Sequence, residues 1–416
     1  MRFIHAADVH IDSPLLGLRA YQDAPAEQLR NATRDAFTEL VTIAIAEQVD
    51  FMVIAGDLYD GAWPDFSTGL YFCAQMARLS KASIPAFVLF GNHDAESEMT
   101  LKLVMPPNVK TFSPKTAETH IVEHLKVALH GRSFKTKAVT ENLVTGYPAA
   151  LPGYFNIGVL HTALEGGTIH ANYAPCSVEE LHAKGFDYWA LGHVHEFKTW
   201  IGHSTIVFPG NLQGRNIRET GRRGAVMVTV DDDRTPVVDR LFLDILRWEA
   251  LEVDATNCET LEAVSAEVAL ELAKLLEVDS HVPRAVRVTV TGATAAHGEL
   301  FGLEQHLRAN ILASIAAIDN DKLWLEKVKV ATSPPAALGT SAGGADAIAD
   351  LAELLKEADQ DPELAKQLSE LLAPLGQKAP DLLPNIPALD AARNGNVSAL
   401  LAEIGPALLA RLAQAE

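Results

Sequence analysis

Over the first 245 positions the hydrophobic residues fall into short runs that stop at a glycine or a polar turn. "RFIHAAD", "DFMVIAGD", "PAFVLFGN", "KVALHG", "FNIGVLHT", "YWALGHV", "TIVFPGN" and "GAVMVTV" read as strands. An apolar run this short, closed by a turn signal, suits a strand buried on both faces. Between them, residues 27–48 and 66–80 carry apolar positions at helical spacing, as Leu40, Val41, Ile43, Ala44 and Ile45 illustrate. Such stripes pack against a core. Strands alternating with helices predict a layered α/β domain.

The pattern changes near "LRWEALEVDA". Residues 248–332 read as strand, helix (about 259–277), strand "AVRVTVTG", helix (about 298–316) and strand "WLEKVKVA", a small α+β domain of the split βαβ kind. "SPPAALGTSAGG", residues 333–344, has linker composition. The tail, 345–416, reads as helical, with three apolar stripes. The first is Ile348, Leu351, Leu354 and Leu355; the second is Leu364, Leu368, Leu371, Leu372 and Leu375; the third is Leu400, Leu401, Ile404, Leu408 and Leu412. Asp361-Pro362 marks a helix start. The predicted domains are therefore 1–247, 248–332 and a tail of 345–416 joined by the linker.

Length and charge narrow the picture. A chain of 416 residues has room for two or three domains. A net charge of −20 weighs against a generally basic nucleic-acid binder, but not against a local basic cleft or bound metal ions. Cys73, Cys176 and Cys258 are widely spaced, fit no metal pattern, and read as buried thiols in a reducing compartment. The opening "MRFIHAADVH" is already a strand, so no signal peptide is expected. No run approaches the roughly 20 apolar residues of a membrane span. A cytoplasmic protein is expected.

The chemistry lies where the strands end. "HAADVH" places Asp8 and His10 two apart, on one side of the chain. "VIAGDLYD" ends in Asp57 and Asp60, "FVLFGNHD" in Asn92, His93 and Asp94, "IGVLHT" in His161, and "WALGHVH" in His193 and His195. Sites in α/β sheets form beyond the carboxyl ends of strands. Five such ends bring together Asp8, His10, Asp57, Asn92, His161, His193 and His195. Two carboxylates, an amide oxygen and four imidazoles, with no thiolate, suit Mn, Fe or Zn in an open site. Seven ligands are too many for one ion and suit two, about 3.5–4 Å apart and bridged by one carboxylate. A lone His or Asp in a turn means little; the whole set in this order is hard to reach by accident.

These five motifs resemble those of the calcineurin-like metallophosphoesterase superfamily, over residues 1 to about 245. "DVHIDSP" and "FPGNLQGRNIRETGRRG" are similar to bacterial DNA repair exonucleases of the SbcD and YhaO kind, and closest to the YhaO branch. The resemblance implies a four-layer α/β/β/α sandwich with a small α+β capping domain and a helical C-terminal tail. It implies that Asp8, His10, Asp57 and His195 hold one metal, and that Asp57, Asn92, His161 and His193 hold the second, Asp57 bridging. The metals would most readily be two Mn²⁺. A hydroxide bridging them would attack phosphorus while His93, left unligated, stabilises charge and protonates the leaving oxygen. Asp94 would orient His93. Asp12 or Asp60 would steady ligand histidines, or simply cap their turns. The resemblance further implies DNA as substrate, an SMC-like ATPase partner docked on the tail, and a homodimer through segment 66–80, where the sequence itself shows only an apolar stripe.

Arg215, Arg218, Arg222 and Arg223 form a basic loop suited to gripping phosphates or to plain solvation, with Glu219 in their midst counting against the grip. His170, in the loop after His161, reads as an ordinary loop residue. Three functions compete: a DNA exo/endonuclease; an enzyme of the same chemistry acting on nucleotides or another small phosphoester, which the acidic charge favours; and a non-enzymatic scaffold, against which the intact ligand set and His93 argue.

Overall fold

All eight predicted runs of the first 245 residues form strands: β1 (Arg2–Ala6), β2 (Phe51–Ala55), β3 (Ala86–Leu89), β6 (Val127–Gly131), β7 (Phe155–His161), β8 (Tyr188–Gly192), β10 (Thr205–Phe208) and β11 (Gly224–Val230). Four more accompany them: β4 (Val109–Thr111), β5 (Glu118–Val122), β9 (Lys198–Ile201) and β12 (Pro236–Phe242). The computed structural model describes residues 1–15, 26–61, 66–96, 104–164, 173–277, 281–300, 303–319, 321–333 and 335, with isolated positions between 350 and 405. Contacts divide the chain into Met1–Glu249 with His281–Ala285, and Ala250–Ser280 with Val286–Glu416.

The first unit holds two six-stranded sheets, ordered β12-β11-β1-β2-β3-β4 and β5-β6-β7-β8-β10-β9. Alternation along each strand splits its side chains between two cores. Phe3, Val53 and Phe87 point from the first sheet to Leu129, Ile157, Tyr188 and Val207 of the second, so the sheets pack face to face. Ile4, Met52, Ile54 and Val88 point the other way, onto Phe37, Leu40 and Val41 of α1 (Ala26–Ala46) and Phe72, Met76 and Leu79 of α2 (Ser67–Lys81). The outer face of the second sheet, with Leu160, Trp189 and Ile206, is covered by Leu181 of the short α3 (Val178–Ala183) and by Phe134, Leu143 and Tyr147. This is the expected α/β/β/α layering, with a thin fourth layer.

His5 joins the two sheets. It is fully buried, with Nε2 3.1 Å from the Leu191 carbonyl and Nδ1 2.9 Å from the Tyr188 hydroxyl. The carbonyl only accepts, so Nε2 carries the proton and Nδ1 accepts from Tyr188. Burial lowers the His5 pKa from 6.5 to about 3, against the pull of Leu191. Below pH 6.5 the unfolded chain therefore takes up a proton that the folded chain refuses, and stability falls as pH drops through this window. Urea unfolding from pH 7 to 5 is expected to show wild type losing up to about 1.4 kcal/mol per pH unit more than His5→Gln. Parallel pH profiles would contradict this.

The second unit runs β13 (Arg247–Asp254), α4 (Leu261–Glu277), β14 (Arg284–Thr291), α5 (His297–Leu300), α6 (Glu304–Asp319) and β15 (Leu323–Val330). Val264, Val268 and Leu272 of α4 and Leu307, Ile311 and Ile315 of α6 pack on Val286, Val288 and Val290. The sheet order is β13-β14-β15, which corrects the expectation of a split βαβ unit: no strand is inserted between sequential neighbours. Helices of 17 and 16 residues return the chain to the adjacent position each time. In the tail, Leu351, Leu354, Leu355, Leu371 and Leu401 are helical. Ile348, Leu364, Leu368, Leu372, Leu375, Leu400, Ile404, Leu408 and Leu412, and most of the linker, lie outside the described residues. Among the described residues no helix is long and apolar enough to cross a membrane.

Candidate metal centre

The five strand ends come from both sheets. β1, β2 and β3 are parallel neighbours in the first and deliver Asp8 and His10, Asp57, and Asn92 and His93. β7 and β8 are parallel neighbours in the second and deliver His161, then His193 and His195. Hydrogen bonds lace the ends together. The Asp8 amide donates to the Gly56 carbonyl at 3.0 Å and the His10 amide to the Asp57 carbonyl at 3.0 Å. Across the sheets, the His193 amide donates to the Asp8 carboxylate at 2.9 Å, and His161 Nδ1 to the Ala55 carbonyl at 3.0 Å.

This convergence demands unusual backbone. Asp8, His10, Asp57 and His193 take φ of 49°, 46°, 48° and 99°, left-handed values that non-glycine residues adopt at a cost of about 1–3 kcal/mol each. Gly56 has φ 98°, and a Cβ there would sit 2.2 Å from His161 Nδ1. At Gly192 a Cβ would meet the Ala55 carbonyl oxygen at 1.9 Å. The glycines of the "GD" and "GH" motifs are thus what allows the sheets to close on each other here.

The side chains form three groups, each with its ligand atoms within 4.8 Å of one another: Asp8, His10 and His195; Asp57, His161 and His193; and His10, Asp60 and His93. Asn92 joins the second, its Oδ1 3.0 Å from His161 Nε2. Their tautomers identify what they can hold. His195 Nδ1 lies 2.8 Å from Glu219 Oε1, and His10 Nδ1 faces Asp60 Oδ1 at 3.4 Å. Carboxylates only accept, so His195 carries its proton on Nδ1, which leaves Nε2 of His195 as an acceptor towards Nε2 of His10. Those two Nε2 atoms face each other at 3.3 Å. His161 likewise carries its proton on Nδ1, and its Nε2 looks at Asn92 Oδ1 and, at 3.4 Å, at Asp57 Oδ2. Imidazole nitrogens, carboxylates and an amide oxygen that converge in one buried place are a donor set that fits a divalent metal.

Burial opposes charge on both Asp57 and His161, yet each holds the other charged: Asp57 is kept below the usual carboxylate range by His161, and His161 is raised to about 9 by Asp57. Asp60 and Glu219 are also held low despite burial, chiefly by His10 and His195 respectively.

Residues around these candidate ligands take more specific places than the sequence suggested. Asp60 Oδ1 lies 3.4 Å from Nδ1 of both His10 and His93, and accepts from Ser13 through its other oxygen at 2.8 Å. Asp94, expected to orient His93, instead accepts backbone N–H bonds from Leu58, Tyr59 and Gly91 at 2.9–3.1 Å, bracing the β2 and β3 ends. Burial, with Asp57 beside it, pushes Asp94 up to about 7. Asp12 binds Arg34 Nη2 at 2.6 Å and Thr68, tying the β1 end to α1 and α2 rather than to a ligand histidine. His93 is 35 % exposed, whereas the His10 side chain is 1 % exposed, so His93 stands where substrate can reach it. Arg215 reaches Asp60 at 3.3 Å and Glu219 at 3.4 Å; Arg218 is exposed. Arg223 is buried and supports the His195 carbonyl. Glu219 counts against an arginine grip as expected, since it pairs with Arg215, but its contact with His195 is one that sequence reasoning missed. Its signal was a lone acid among arginines. His170 lies outside the described residues.

Residues 1–197 match the family model of the calcineurin-like phosphoesterases, and residues 248–333 that of the YhaO metallophosphoesterase middle domain. The chain is 33% identical over 296 residues to the metallophosphoesterase YhaO of Bacillus subtilis (strain 168), spanning 70% of this chain and 72% of that one. It is 24% identical over 271 residues to the DNA double-strand break repair protein Mre11 of Sulfurisphaera tokodaii, spanning 62% of this chain and 66% of that one. A dimetal phosphatase from Danio rerio aligns at 12% identity with a TM-score of 0.35, over 56% of this chain and 93% of that one.

Proposed function

The chain belongs to the calcineurin-like metallophosphoesterases, of the YhaO type, and from that premise we propose that it is a two-metal phosphodiesterase that cleaves DNA. The observation that carries the chemistry is the pair of acceptor clusters facing inward with His93 at their mouth. In this reading Asp8, His10, Asp57 and His195 hold one ion and Asp57, Asn92, His161 and His193 the other. When bound, two divalent ions supply positive charge for the phosphate and lower the pKa of the attacking water towards neutrality. The chain's residues do the rest. His93, held by Asp60, donates its proton to the leaving oxygen and offsets charge on the phosphate. Asp60 keeps that ring and His10 in register. Asp94 keeps the His93 loop against the β2 end.

DNA as the substrate draws on the likeness to the Mre11 repair protein and on Arg218, exposed in the loop beside the centre. The net charge of −20 favours the alternative, a nucleotide or other small phosphoester. One experiment separates them. Labelled single- and double-stranded oligonucleotides and bis-p-nitrophenyl phosphate are incubated with Mn²⁺, Mg²⁺ or EDTA. Metal-dependent DNA cleavage, with loss in EDTA, is the expected result. Cleavage of the small ester alone would keep the chemistry and reject DNA. Hydrolysis that survives EDTA would reject the metal mechanism.

A further inference from the structure

Glu219 lies in the loop between β10 and β11, and the chemistry above gives it no part. Its carboxylate is nevertheless organised on both oxygens. Oε2 accepts from the Arg215 amide at 2.7 Å and from Asn211 Nδ2 at 2.9 Å. That fixes Oε1 against His195 Nδ1 at 2.8 Å. Arg215 Nη2 reaches the same oxygen at 3.4 Å, and its Nη1 reaches Asp60 Oδ1, behind His10, at 3.3 Å. The loop itself is anchored. Trp248, fully buried, donates from Nε1 to the Gly214 carbonyl at 2.9 Å, and its own carbonyl accepts from the Gly221 amide at 2.9 Å. Gln213 donates to the Leu246 carbonyl at 2.6 Å.

We propose that Glu219 is the positioning residue for one metal position and not for the other. Through Nδ1 it sets the tautomer and tilt of His195, so that Nε2 meets His10 and Asp8 as a lone pair. Arg215 couples Glu219 to Asp60, so one guanidinium aligns the carboxylates behind both imidazoles of that position. The other position is set differently: His161 takes its tautomer from the Ala55 carbonyl, part of the sheet backbone. The two positions therefore differ in how they are built, one by a loop carboxylate and one by the strand ends. Metal-ligating histidines depend on such partners, whose loss costs about 10–100-fold in affinity. Arg215, by this account, acts through carboxylates rather than on substrate.

This inference rests on the two-metal reading, and its test reads metal directly. The full chain is stripped with EDTA and titrated with Mn²⁺ by calorimetry, as wild type, Glu219→Gln and Glu219→Ala, with urea midpoints of the metal-free proteins measured alongside. Wild type is expected to bind two ions. Glu219→Ala is expected to weaken one by about 10–100-fold and leave the other within about twofold. Glu219→Gln, which keeps an acceptor oxygen without the charge, falls between. Two unchanged affinities, or both falling together, would overturn the proposal. If the alanine variant does not fold, an unchanged Glu219→Gln overturns it equally. A wild type that binds two ions, one sensitive to Glu219, yet cleaves no DNA would leave this inference standing and reject only the substrate.

Discussion

Replacing His93 by alanine is expected to lower phosphodiester hydrolysis by about 10²–10⁴-fold, the range that a general acid–base group supplies. Metal binding should stay at two ions. The distinction is structural. His93 is the most exposed histidine of the centre and pairs with Asp60, whereas the inward-facing nitrogens belong to His10, His161, His193 and His195. Its backbone amide also donates to Asp57 Oδ1 at 3.0 Å, a contact that alanine retains, so the Asp57 carboxylate keeps its orientation. The grouping of His93 with His10 and Asp60 makes the outcome informative. If the alanine variant loses an ion together with activity, His93 is a ligand, and the centre is built around that third group instead.

Asp57→Asn is expected to be more damaging. Activity should fall to background, and both ions should weaken by at least about 100-fold, beyond the range for a residue that only steadies a ligand. Asp57 is 1 % exposed, one oxygen taking the His93 amide and the other facing His161. Asparagine preserves the shape but removes the charge that two cations would share. Calorimetric Mn²⁺ titration checks this. Loss of one ion alone would mean that Asp57 serves a single position, and the shared-carboxylate arrangement would be wrong.

Which parts of the fold were legible follows from where each strand sits. The eight strands visible in the sequence are the interior strands of the two sheets. The four that went unread, β4, β5, β9 and β12, are the four sheet edges. An interior strand here is covered on both faces and is largely apolar, as "FMVIA" and "GAVMV" are. An edge strand is partly solvated, so "KTWI" and "PVVDRLF" alternate or lose their pattern. The residues that converge at the strand ends were legible for a related reason: polar residues directly after a buried strand have few uses. The residues behind them were not. Asp60, Asp94 and Glu219 are equally acidic turn residues in the sequence. Which one meets His93, which meets backbone N–H groups and which meets His195 depends on loops returning from distant positions. Glu219, 24 positions from His195, becomes its partner only because Asn211 and Trp248 fold the loop back.

The most direct test of the two-metal centre is anomalous diffraction from crystals grown with Mn²⁺. Two anomalous peaks are predicted, one bounded by Asp8, His10 and His195 and one by Asn92, His161 and His193, with Asp57 reaching both. A single peak, or a peak held by His10, Asp60 and His93, would contradict the account.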